Sequence, residues 1–226
     1  MTGRGFKPLN LDEIKSFEKA AKEASNPIRT LTGRLLLHTG MRNGEFNHMR
    51  PWWLLEKNGK YRIDIPRREE CVGGVGPAGF GNENSFNMND RGKPCSKCRN
   101  KAHREDNRWT CKTRTSDRTI PINSKQEDLV DLLKWWKDGY DYLPLSHRSV
   151  NYQLEQLTKS AGLDRRVTAH DLRHTHGTML ARMDWTAVQI MDRLGHGSIQ
   201  MPRKYITYTA QASRDLVEEK YDLDNL

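Results

Sequence analysis

Three stretches of this 226-residue chain combine cations or imidazoles with helix-end geometry. In Thr39-Gly40-Met41-Arg42-Asn43-Gly44-Glu45, Arg42 stands just past one helix and at the start of the next. There a guanidinium can face a phosphate beside outward-pointing backbone N–H groups. Taken alone, Arg42 can equally pair with Glu45 at i+3. In His170-Asp171-Leu172-Arg173-His174-Thr175-His176, the first imidazole and the guanidinium are i, i+3 neighbours and share a helix face, so both can meet one phosphate. His174 shares much of that face. A metal reading stays open because His and Asp ligate zinc, although the spacing is not H-E-x-x-H. In Leu194-Gly195-His196-Gly197-Ser198-Ile199, two glycines bracket a histidine on a turn where backbone can approach a ligand closely. Tyr205 follows nine residues after His196; alone it would be a packing residue.

The cysteines form a fourth constellation. Cys95-Ser96-Lys97-Cys98 has zinc-knuckle spacing, and Cys71 and Cys111 lie on flanking strand candidates, so four thiolates can converge on a structural zinc. His103 could replace one of them. The alternative is four free thiols that merely pack. Four cysteines in a chain of this composition favour reduced thiols or metal ligands over a disulfide framework.

The elements that must position these groups are mostly helical. Asn10 and Glu13 start a helix over residues 10–25, Pro27 opens a second that Gly40 stops, and residues 43–50 form a short third. Apolar spacing predicts helices around 129–136, 150–161, 168–183 and 186–193, with a last one over 210–221. Strand alternation marks Tyr61–Ile65, Trp109–Thr113 and Thr119–Ile122, the last two around a Thr115-Ser116-Asp117 turn. The fold class is therefore mainly α with a small antiparallel β-sheet. One domain over residues 1–226 carries a glycine-rich, basic, cysteine-containing insertion at about 66–108.

Lys and Arg number 38 against 29 Asp and Glu, a net charge of +9, which favours a polyanionic partner. The imbalance is local too, with 12 basic against 7 acidic residues in 66–118, so the insertion is expected to touch a DNA backbone. Six Trp and seven Tyr argue against a disordered tail. The longest aliphatic run, Leu35–Leu37, is far below the ~18–20 residues of a membrane span, which points to a cytoplasmic protein.

Taken in order and at their spacings, T-G-M-R-N-G-E, H-D-L-R-H-T-H-G-T and L-G-H-G-S-I followed by Tyr205 resemble the tyrosine recombinases, the family of phage integrases and Xer-type resolvases. The resemblance implies that Arg42 and Arg173 clamp a scissile phosphate, with His170 and His196 beside it and Tyr205 as nucleophile. It implies a hairpin lysine, for which Lys112 fits better than Arg114, and an acidic residue, Glu45, supporting the first box. His170 is the candidate base, Lys112 the candidate acid for the departing 5′ oxygen. The implied reaction cleaves and rejoins duplex DNA through a 3′-phosphotyrosyl intermediate, without ATP or a catalytic metal. Rejoining to another strand is recombination, as in integration or excision of a virus, plasmid or other mobile element. The resemblance further implies a homotetramer at synapsis and accessory DNA-bending proteins, acting at the nucleoid or in the host cytoplasm of a virus. Three competing readings are a type IB topoisomerase-like strand passage, a zinc-containing DNA-binding module without catalysis, and a metal-dependent nuclease using the histidines of 170–176. Two features depart from the family pattern: no N-terminal core-binding domain is apparent, and the cysteine-bearing insertion is extra.

Overall fold

The computed structural model describes residues 6–71, 94–99, 108–113 and 115–220. Asn10 accepts the Glu13 N–H while the Glu13 carboxylate accepts the Asn10 N–H, and this capping box starts α1 (Leu11–Lys22). Asn26 caps α2 (Pro27–Thr39), whose proline occupies a position where a backbone N–H would be orphaned anyway. Gly40 ends α2 in the left-handed region, φ 63°. The chain turns at once into α3 (Asn43–Asn47).

A 3-10 turn at Pro51–Trp53 leads to β1 (Leu54–Lys57), and Asn58-Gly59, both at positive φ, form the tight turn into β2 (Lys60–Ile65). Beyond β2 come β3 (Arg68–Glu69), α4 (Ser96–Arg99), β4 (Trp109–Thr110) and β5 (Arg118–Pro121). The main sheet runs β1-β2-β5, antiparallel throughout, with Leu54 opposite Ile63 and Ile63 opposite Ile120. Strands β3 and β4 make a separate two-stranded ladder with Arg68 opposite Thr110. Helices α5 (Glu127–Gly139), α6 (His147–Ser160), α7 (Ala169–Arg182), α8 (Ala187–Leu194) and α9 (Gln200–Lys220) complete the described fold.

The mainly α architecture with a small antiparallel sheet is as the periodicity implies, with three differences. Strand β1 escapes sequence reading because only Leu54 of its four residues is buried, so no alternation shows. The strand expected at 109–113 is two residues long and joins β3 instead of the main sheet. There the Cys111 N–H bonds Arg67 O and the chain turns through a Ser116 N–H to Thr113 O bond. The last helix begins at Gln200, ten residues before its apolar pattern suggests, because Pro202 falls in its first turn where a missing N–H costs nothing. Tyr205 is therefore a helical residue.

Helix α2 is buried nearly all round, and Leu31, Leu35, Leu36 and Leu37 are fully buried. It runs through the middle of the helical layer, packed against α1, α5, α6 and α7. Such a helix needs close approach on one side, and Gly33 provides it: a Cβ there would lie 2.4 Å from Leu157 Cδ1 on α6 and 3.3 Å from Ala21 Cβ on α1. Gly33→Ala is expected to lower unfolding free energy by about 1–3 kcal/mol through overpacking, read as a reduced urea midpoint at unchanged slope.

Candidate active site

Glu45 sits in the first turn of α3 and is only 2% exposed. A buried carboxylate must be paired, and Arg118 of β5 meets it with two parallel bonds, Nη1 to Oε1 at 3.0 Å and Nη2 to Oε2 at 3.0 Å. Arg42 donates to the same Oε1 at 2.6 Å through Nη1, and its backbone N–H donates to Oε2 at 2.8 Å. Burial alone would push the Glu45 carboxyl up, but the Arg118 guanidinium, and then Arg42, hold it down at about 2. It is charged at any working pH.

Two guanidiniums are anchored on one turn, one of them held by that carboxylate. Arg42 also donates to Ser116 Oγ at 3.0 Å and, through Nη2, to Gly195 O at 2.8 Å. Arg173, buried on α7, donates to Gly40 O at 2.7 Å and to Leu194 O. Helix α7 starts at a Thr168–Asp171 capping box, which sets the rotation that turns Arg173 inward. Both arginines thus hold the 194–195 turn, where Gly195 at φ 63° ends α8 and presents His196. Gly40 is required on the opposite wall, since a Cβ there would lie 2.5 Å from Leu194 Cδ2.

Crowding of cations tunes the rest. Burial, then Arg42, lowers Arg173 to about 9, so it stays charged near neutrality. Burial, then Arg173 and Arg42, lowers His196 to about 3, leaving the ring neutral. Among the described residues its Nδ1 has no hydrogen-bond partner.

Tyr205 is fully buried on α9. Its hydroxyl lies 3.1 Å from His174 Nδ1, its ring stacks 6.1 Å from that of His196, and Phe6 packs against it at 5.6 Å. Gly177 makes room for it: a Cβ there would come within 2.6 Å of the tyrosine ring. Burial raises Tyr205 to about 12, against the pull of Arg173 and Arg42. Burial, then His170, lowers His174 to about 4.

The structure therefore gathers Arg42, Arg173, His196 and Tyr205, with Glu45 behind them. His170 stands at the exposed edge, 4.2 Å from His174 ring to ring. Lys112 is exposed just beyond β4, on the wall of a cleft of about 500 Å³ that Arg42, Glu45, His48, Cys98 and Trp109 also line. Arg114 and His103 lie outside the described residues. The histidines of 170–176 do not converge on one point, since His174 faces Tyr205 while His176 bonds Leu37 O at 3.0 Å and Arg193 at 3.4 Å.

The expected Cys71, Cys95, Cys98 and Cys111 cluster is corrected in one member. Cys111 turns away and donates to Pro66 O at 3.2 Å, because the β3–β4 ladder ends there. His48, at the end of α3, takes its place beside the other three thiols. Sequence reading missed Arg118, one of several arginines in a basic run, and His48, a lone imidazole two residues before Arg50. It placed His174 on the right face without a role.

The sequence profile of the phage integrase family matches residues 100–212, half of the chain. The chain belongs to the phage integrase family. Transposase A of transposon Tn554 from Staphylococcus aureus is 35% identical over 83 residues, 37% of this chain and 22% of the transposase. The XerH site-specific recombinase, solved as a post-cleavage complex with palindromic difH substrate, superposes with a TM-score of 0.63 at 20% identity over 97% of this chain and 54% of that one. The catalytic domain of bacteriophage HP1 integrase does so with a TM-score of 0.52 at 16% identity over 97% of both chains. The fold is thus that of a tyrosine recombinase catalytic domain. The chain spans well under half the length of the curated relatives it matches.

For this integrase-family site, Glu45→Gln would leave Arg118 and Arg42 facing a neutral amide, and a loss of about 3–5 kcal/mol is expected by urea unfolding at pH 7. Wild-type stability should fall with acidification in two overlapping windows. His174 and His196 are depressed, so their contribution is lost as pH drops from ~6.5 toward about 3–4; that of Glu45 is lost from ~4.3 toward about 2. Glu45→Gln should shrink the lower window and leave the upper one, since the lowered carboxyls of Glu13, Glu18 and Asp128 still contribute to the lower.

Proposed function

We propose that this chain cleaves and rejoins duplex DNA as a site-specific recombinase, with Tyr205 as nucleophile. The observation that carries the reading is the shared anchoring of Arg42 and Arg173 on the carbonyls of Gly195 and Leu194, which turns both guanidiniums toward the face that holds His196 and Tyr205. Planar guanidiniums offer paired donors in fixed geometry for a phosphodiester, and one donor of this kind is worth ~10²–10³ in rate.

In this reading the Tyr205 oxygen attacks phosphorus, forming the O–P bond of a 3′-phosphotyrosyl linkage as the bond to the 5′ oxygen breaks. The hydroxyl proton passes to an imidazole. Among the described residues, His174 is the one in hydrogen-bond reach, and a bound phosphodiester would raise its basicity by adding negative charge beside it. His170 supports it from the exposed edge. Lys112 supplies the proton to the departing 5′ oxygen, and His196, neutral and with an uncommitted Nδ1, contributes a hydrogen bond to the phosphate. Attack by a 5′-hydroxyl reverses the step, and the bond energy is conserved without ATP. The charge balance of the chain supports a duplex partner held by its backbone. Integration or excision of a mobile element fits the relatives, with four protomers at synapsis.

The test is a duplex with a nick beside the cleavage position, so that the short 5′-hydroxyl strand diffuses away and traps the intermediate. A covalent protein–DNA band should survive denaturing electrophoresis, from a reaction with no divalent metal ion or ATP added. Tyr205→Phe should give no band. Gly177→Ala, whose methyl collides with the tyrosine ring, should cut band formation by about 10²-fold while DNA binding by gel shift stays intact. A band from Tyr205→Phe at wild-type yield overturns the nucleophile assignment.

A further inference from the structure

Outside the phosphate-facing pocket, His48, Cys71, Cys95 and Cys98 place one imidazole nitrogen and three sulfurs within 4.8 Å of one another. They come from three separated pieces of chain: His48 caps the end of α3, Cys71 lies two residues past β3, and Cys95 and Cys98 lie just before and within the short helix α4. His48 Nε2 lies 3.3 Å from Cys71 Sγ, 3.8 Å from Cys95 Sγ and 3.6 Å from Cys98 Sγ. A tetrahedral zinc with Zn–S of ~2.3 Å and Zn–N of ~2.0–2.1 Å needs N···S edges of about 3.6 Å. The three observed edges straddle that value.

The surroundings are those of a ligand set. His48 Nδ1 bonds Gly44 O at 2.7 Å, so that nitrogen carries the proton and Nε2 turns its lone pair to the sulfurs. The Cys95 N–H donates to Cys71 Sγ at 3.2 Å, and the Cys98 N–H to Cys95 O at 2.9 Å closes the knuckle turn. Trp109 stacks on the His48 ring at 5.3 Å, shutting out solvent on that side. None of the four cysteines is in a disulfide. Packed thiols without an ion would not need a tautomer-fixed imidazole at their centre.

We propose that His48, Cys71, Cys95 and Cys98 bind one zinc ion in a closed, four-coordinate structural site. With four protein ligands the ion has no open position for substrate and takes no part in strand cleavage. Its role is positional. Helix α3 carries Glu45 near one end and His48 at the other, and Cys98, Trp109 and Lys112 share one cleft with Arg42. The ion therefore ties the cysteine-bearing insertion to the helix that presents Arg42 and sets the wall on which Lys112 stands. This consequence, unlike the binding itself, rests on the recombinase reading.

The test uses the full chain purified without chelator. One zinc per chain is expected by atomic emission. Reconstitution with cobalt(II) should give the visible d–d bands of a tetrahedral ion and a near-ultraviolet charge-transfer band with the intensity of three thiolates. Cys111→Ser should keep metal and spectrum, His48→Ala should lose stoichiometric metal, and His48→Cys should recover it with a four-thiolate spectrum. A wild-type chain with no tetrahedral cobalt spectrum overturns the proposal whether or not any variant folds. So does loss of metal in Cys111→Ser with retention in His48→Ala. Stripping zinc with a strong chelator should lower the covalent-adduct rate by about 10²-fold, restored by zinc. An unchanged rate overturns the positional role. A zinc-loaded wild type that forms no adduct on nicked duplex instead sinks the recombinase reading and leaves the metal site standing.

Discussion

One buried carboxylate organises this pocket. Arg42, Arg118 and Arg173 converge from α3, β5 and α7, and three guanidiniums brought together out of water would repel one another strongly. Glu45 offsets that repulsion, and its two oxygens distribute the cations: Arg118 takes both, Arg42 takes one and keeps its other nitrogen for the turn before His196. The pocket remains cationic overall, which suits the phosphodiester of the proposed reaction. A site with every arginine fully paired would bind nothing, and one with none paired would not fold.

The same economy holds the helices in register. Arg173 spans from α7 to the carbonyls that end α2 and α8, Arg118 donates to Arg193 O at 2.9 Å, and Arg193 reaches Pro121 O and His38 O. Each of these carbonyls lies at an element end, where intrahelical or ladder partners run out. Arginine side chains thus serve as long-range caps, and in the proposed reaction Arg42 and Arg173 are phosphate donors as well. Removing one disturbs the frame together with the chemistry.

Tyr205 is held differently. Its ring joins Leu180, Ile190 and Leu194 in a small second core, and among the described residues its hydroxyl meets only His174. Burial raises the phenol to about 12, so it stays protonated near neutrality. In the proposed reaction, a nearby imidazole that can take the proton matters more than bulk deprotonation does. The glycine at 177 exists for this packing, which explains its place one turn after Arg173.

Much of this was legible in the residues themselves. Helix starts at Asn10, Asn26, Thr168 and Thr186 follow from capping chemistry that acts within four residues, and Gly40 and Gly195 announce their helix ends by conformation alone. The order and spacing of the boxes around Arg42, Arg173, His196 and Tyr205 set the family and the fold, because those groups act at element ends that local sequence defines. What sequence could not decide was partnership across distance. Arg118 and Arg114 look alike in a basic run, and only β5 pairing with β2 delivers one of them to Glu45. Cys111 and His48 were chosen between by the two-residue β3–β4 ladder, which turns one sulfur to a carbonyl and leaves the other three facing an imidazole. His174 was selected over His170 at the tyrosine hydroxyl by the path of α9 across α7. Local rules fix what a short segment becomes, while the meeting of side chains 20 to 150 residues apart depends on how the segments pack, and that is a property of the tertiary structure alone.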